Sequence, residues 1–104
     1  MSLQNLKKQL NNNIDKVFKA LNIEYEQFGD NIYSTCPIHG ESDNPRALSY
    51  SVDRQMWKCW TRGCQEEYRN DILGLIHGVL VKQEGEEVEF KQVLSWCYKL
   101  LNIT

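Results

Sequence analysis

No stretch of this 104-residue sequence approaches the ~20 consecutive apolar residues that a membrane-spanning helix needs. Met1-Ser2-Leu3-Gln4-Asn5 lacks the apolar core of a secretory leader, which predicts a reducing compartment. In that setting the four cysteines point to metal rather than to a disulfide framework. Basic charge is also short: the net charge of −2 argues against strong non-specific nucleic-acid binding. Missing too are a Gly-rich phosphate loop, a nucleophile elbow, an acid pair suited to two-metal chemistry and the His-x-Glu/Pro-Cys-x-x-Cys pattern of zinc deaminases. The chain is therefore expected to carry no enzyme active site of its own.

What is present is a pair of metal-ligand knuckles. Cys36-Pro37-Ile38-His39 and Cys59-Trp60-Thr61-Arg62-Gly63-Cys64 supply three cysteines and a histidine, with nineteen residues between the pairs. Zinc takes four such ligands in a tetrahedron, and structural sites are assembled from two ligand pairs on separate turns. Pro37 stiffens the first turn, while Gly40 and Gly63 permit the backbone angles of tight turns. With Cys36, His39, Cys59 and Cys64 all engaged, the site is closed and structural, since a catalytic zinc keeps a position open for water. A three-cysteine, one-histidine site with Zn²⁺ has charge −1, which Lys58 and Arg62 would help balance. His77 and Cys97 fall on apolar helical faces and read as packing residues. A site with Cys97 in place of His39 is the alternative ligand set.

The fold expected is α+β: a zinc ribbon with a small antiparallel sheet flanked by N- and C-terminal helices, in one domain over 1–104. Leu3, Leu6, Leu10, Ile14, Val17, Phe18 and Leu21 recur at helical spacing and predict a helix over 1–22. Asn11-Asn12-Asn13 in its middle invites a break. Residues 24–69 make the sheet, with strands over 24–28, 32–35, 48–52 and 56–60 and a turn at Gly29-Asp30-Asn31. Over 70–104 two helices follow. Asn70 or Asp71 caps the first, whose Gly74 and Gly78 allow close packing against the sheet, and residues 82–87 form a charged loop before the second.

Charge is unevenly spread. Residues 70–104 hold three lysines against five acids, whereas 36–69 balance five basic residues against five acidic ones. In that central third Arg46, Lys58 and Arg62 are interleaved with Tyr50, Trp57 and Trp60. Cations among aromatics suit a surface that holds phosphates and stacks bases, although small sheets of other function carry the same mixture.

Four blocks stand out in order and spacing: Cys36-Pro37-Ile38-His39-Gly40, Asn44-Pro45-Arg46-Ala47-Leu48-Ser49-Tyr50-Ser51-Val52, Gln55-Met56-Trp57-Lys58-Cys59-Trp60 and Asn70-Asp71-Ile72-Leu73-Gly74-Leu75-Ile76. Together they resemble the N-terminal zinc-binding domain of bacterial and phage DNA primases. The resemblance covers about residues 32–80. It implies one structural Zn²⁺ on Cys36, His39, Cys59 and Cys64. It also implies contact of Arg46, Tyr50, Trp57, Lys58, Trp60 and Arg62 with single-stranded DNA template during primer synthesis. The partners implied are a primase catalytic domain or replicative helicase, in the cytoplasm of a bacterial cell or phage-infected host. Two features depart from the family pattern: the second pair is Cys-x4-Cys rather than Cys-x2-Cys, and the segment after His39 carries Glu41 and Asp43. No catalytic domain fits in this chain, so a fragment of a primase or primase-helicase is expected. The other reading is a free-standing zinc-ribbon scaffold for protein interaction.

Overall fold

The computed structural model describes residues 2–38, 46–60, 63 and 66–102. The architecture is α+β, with two helices, four strands and two further helices in chain order. Helix α1 (Leu3–Asn12) starts at Ser2, whose hydroxyl accepts the Asn5 N–H at 3.2 Å. At Asn13 the helix breaks as the asparagine run suggests, and α2 (Ile14–Ala20) begins. The Asn13 side chain donates to the Gln9 carbonyl at 2.8 Å, the competition with the backbone that makes asparagine a poor helix interior residue. Leu6, Leu10, Ile14, Val17, Phe18 and Leu21 are all buried, so the apolar stripe continues across the break.

Strands β1 (Glu26–Phe28), β2 (Asn31–Ser34), β3 (Leu48–Ser51) and β4 (Met56–Cys59) form one antiparallel sheet in sequential order. The register aligns Gln27, Ile32, Tyr50 and Trp57 in one row, and Ser34, Leu48 and Cys59 in another. Side chains alternate across a pleated strand, so these two rows share a face. From Ile32 and Ser34 onward their members are buried, and this is the face turned to the helices. Glu26, Tyr33, Ser49 and Lys58 form a row on the opposite face, as do Phe28, Asn31, Ser51 and Met56.

Helix α3 (Ile72–Glu84) is apolar on nearly every side and runs through the centre, touching α1, α4 and β4. Asp71 caps it, accepting the Gly74 N–H at 3.0 Å, and the same carboxylate pairs with Arg69 at 3.0 Å and Lys7 at 3.5 Å. The helix extends to Glu84, into residues read above as loop, because Gln83 on its surface donates to the Leu21 carbonyl at 2.8 Å. It ends only at Gly85, where φ of +70° satisfies a left-handed cap. Helix α4 (Phe90–Leu101) opens with a capping box between Glu89 and Gln92. Among the described residues no helix is long and apolar enough to cross a membrane.

The close approaches at Gly74 and Gly78 involve segments beside the sheet rather than its strands. A Cβ on Gly74 would overlap the Arg69 backbone, whereas one on Gly78 would press on the tip of Ile38 and the ring of Tyr68. Backbone pinned by a cap and a helix start cannot yield, but the end of an isoleucine can. Gly74→Ala is therefore expected to cost about 3 kcal/mol, at the upper end of overpacking penalties. Gly78→Ala should stay within about 1 kcal/mol of the parent, because gained helix propensity offsets the mild strain. Urea midpoints of the two variants against the parent check this ordering.

Candidate metal centre and nucleic-acid interface

Strands β2 and β4 run in the same direction on either side of β3, so both finish at one end of the sheet. Cys59 is the last residue of β4, and Cys36 follows β2 by two residues; both are buried. The Gly63 N–H donates to the Cys59 carbonyl at 3.1 Å, and Gly63 stands at φ +62°. That left-handed turn is what the glycine of the second knuckle was expected to allow. His39 and Cys64, the other two members of the proposed set, lie outside the described residues, as does Arg62. Among the described residues no group of three or more metal-binding side chains is assembled. Cys36 and Cys59, the two described members of the expected set, are thiols of the type zinc takes, brought to one sheet end by the shared direction of β2 and β4.

The other two sulfur and imidazole candidates are spoken for elsewhere. Cys97 is fully buried on α4, where loss of hydration pushes its thiol up to about 12. His77 is half-buried on α3 with Nε2 2.6 Å from the Val88 carbonyl oxygen, so that nitrogen carries the proton.

Two of the residues expected to contact nucleic acid are core residues instead. Tyr50 is 0% exposed and Trp57 2% exposed, because β3 and β4 turn them toward the helices. Their polar atoms are consumed there. The Tyr50 hydroxyl donates to Asn11 Oδ1 at 2.7 Å, and the Trp57 indole N–H donates to the Arg69 carbonyl at 2.8 Å. Burial, followed by the negative charge of Asp71, pushes the Tyr50 phenol above its ordinary value. Neither ring is able to stack on a base.

Arg46, Lys58 and Trp60 are exposed; Lys58 meets Trp60, whereas Arg46 meets two rings that sequence reading passed over. Lys58 and Trp60 adjoin at the β4 end, where Lys58 Nζ lies 3.9 Å from the Trp60 ring centroid. The Trp60 indole, 61% exposed, is held by a 2.8 Å hydrogen bond to Ser49 Oγ. Across the sheet the Arg46 guanidinium stands 5.0 Å from the Tyr33 ring and 5.4 Å from that of Phe28, which is 53% exposed. Beside Trp60 a depression of about 420 Å³ is lined by Ser49, Arg54, Met56, Lys58 and Asn70. The outer face thus offers three rings with cations on them, which matches the chemistry of single-strand binding surfaces. The signal that finds Phe28 and Tyr33 is strand register, since both stand on the face that carries Lys58.

No protein-family model matches the chain, and no curated protein matches its sequence.

The core and surface tryptophans should separate cleanly on mutation. Trp57→Ala is expected to cost about 3–5 kcal/mol, as for other large-to-small core changes. Trp60→Ala should shift stability by no more than about 1 kcal/mol, the scale of an exposed cation–π pair and one hydrogen bond. Thermal or urea unfolding of both variants is the measurement.

Proposed function

We propose that this chain is a zinc-binding module that engages single-stranded DNA template for a DNA primase or primase-helicase. The catalytic domain belongs elsewhere, in another segment of a longer protein or in a partner chain. The observation that carries the reading is the outer sheet face, where Trp60, Tyr33 and Phe28 stand beside Lys58 and Arg46. Zinc would be held by Cys36, His39, Cys59 and Cys64, and its role there is structural cross-linking of the sheet end. The ordered blocks that resemble primase zinc-binding domains support the assignment of that sheet to template contact.

On this reading the protein residues do three things. Trp60, fixed by Ser49, is a stacking platform for one base. Lys58 and Arg46 attract phosphates, and Tyr33 with Phe28 offers a second stacking position across the sheet. The acidic segment 70–104 lies mainly on the helices. On the outer face Lys58 and Arg46 stand with Glu26, and the acidic excess of 70–104 lies outside the strands.

Fluorescence anisotropy with a labelled oligothymidylate over a salt series tests the surface. Trp60→Ala should weaken binding about tenfold, within the ~1–3 kcal/mol per base measured for stacking side chains. Arg46→Ala with Lys58→Ala should lower the slope of log affinity against log salt by about 1.4, or ~0.7 for each lost phosphate contact on single strands. Unchanged affinity and slope in these variants would sink the assignment of this face.

Metal content is a separate measurement. Elemental analysis should return one zinc per chain, lost in Cys59→Ser. Chelation should lower the melting temperature sharply, because structural zinc contributes on the order of 10 kcal/mol of folding free energy in small domains. A chain that melts identically with and without chelator would show that no structural zinc is present.

A further inference from the structure

At the junction of α3, α4 and the segment before α3 lies an open cleft of about 670 Å³, which shares no lining residue with the depression beside Trp60. Its walls are aromatic. The Tyr68 and His77 ring centroids are 5.3 Å apart, and those of His77 and Phe90 6.5 Å. His77 is fixed in this wall by the 2.6 Å contact of Nε2 with the Val88 carbonyl oxygen. Three carboxylates, Glu67, Glu86 and Glu87, stand at the rim, and all are exposed. Among the described residues none of the three has an ion-pair partner. Among the described residues of the lining the one cation is Arg69, which directs both Nε and one terminal nitrogen at Asp71, each 3.0 Å from Oδ2. The C-terminal end of α3 opens on the same side through Gly85, adding the negative end of its dipole.

We infer that this cleft is a docking site for an arginine side chain presented by a partner protein. Ring faces carry negative charge and attract a guanidinium within about 6 Å of the centroid. The protein already displays such a contact, with Arg69 Cζ 5.4 Å from the Phe90 ring. Rim carboxylates match the planar fork of an incoming guanidinium, which they can bind in bidentate fashion. Charge complementarity selects the occupant: three carboxylates against one committed arginine repel nucleic acid and favour a basic segment of protein. This site is independent of the nucleic-acid face and does not rest on its assignment.

The test is a nuclear magnetic resonance titration of the zinc-loaded full chain with an acetylated, amidated Gly-Arg-Gly-Arg peptide. A control peptide carries citrulline, which keeps the shape and loses the charge. Expected are amide shifts concentrated at Glu67, His77, Glu86, Glu87 and Phe90, with the citrulline peptide at least fivefold weaker. Glu86→Gln with Glu87→Gln, both at exposed loop positions, should weaken the arginine peptide at least fivefold while leaving oligothymidylate affinity unchanged. No saturable shifts, shifts spread evenly over the acidic surface, equal binding of citrulline, or undiminished binding by the double variant would each overturn the inference.

Discussion

Everything in this fold hangs on how one tryptophan is held. Trp57 packs beneath the sheet, and its backbone N–H and indole N–H donate to the carbonyls of Asn70 and Arg69 at 3.0 and 2.8 Å. Those two residues lead directly into Asp71, which caps the central helix and pairs with Arg69 and with Lys7 of α1. Sheet, central helix and first helix therefore meet within three consecutive residues. Burying an indole leaves its N–H in need of an acceptor, and buried donors without one cost about 1–3 kcal/mol. That requirement fixes the approach of the 66–71 segment to β4. The close fit of Gly74 against the Arg69 backbone follows from the same approach.

The first helix makes a second tie of the same kind. Asn11, a weak helix former, donates to the Val52 carbonyl at 3.1 Å and accepts from Tyr50 at 2.7 Å. Its cost in propensity is offset by satisfying two polar groups at the helix–sheet junction. Among the described residues no buried side-chain polar atom lacks a partner. Specific hydrogen bonds thus fix the register between layers that apolar packing alone would leave free to slide.

Much of this was legible in the sequence, because the relevant signals are local. Alternation of Leu48, Tyr50 and Val52 marks a strand, and heptad-like spacing from Leu6 to Leu21 marks a buried helical face. Asp71 reads as a cap from its place before an apolar run. What failed was the choice of face for Tyr50 and Trp57. Aromatics with a polar handle suit a nucleic-acid surface and a core equally well, and only the cross-strand register decides. Phe28 and Tyr33 were placed on strands but went unnoticed as surface rings, because the mixture of cations and aromatics was read within 36–69 alone and only register brings β1 and β2 beside it. The extent of α3 was misjudged because Lys82 and Glu84 resemble a loop in composition, while the stop signal that operates is Gly85. The metal centre is legible as spacing alone. Strand polarity adds that Cys36 and Cys59 share a sheet end, and His39 and Cys64 fall outside the described residues.

The outer face has an energetic property that bears on the proposed template contact. Its cations rest on its own rings, Lys58 on Trp60 and Arg46 between Tyr33 and Phe28. An arriving strand needs the rings for bases and the cations for phosphates, so binding is an exchange of partners. An exposed cation–π contact is worth about 0.5–1 kcal/mol, whereas stacking a base on a ring is worth about 1–3 kcal/mol. For Lys58 and Trp60 the exchange is therefore downhill, and more so once released counterions are included. Until it happens the internal pairs hold the lysine and arginine close to the surface and lower the entropy lost when they turn to phosphate. Lys58 has to leave the Trp60 ring, but the indole itself stays in place, since its N–H is tied to Ser49. On this argument Trp60 sets where the first base sits, and the movable cations on either side follow the backbone that the base brings with it.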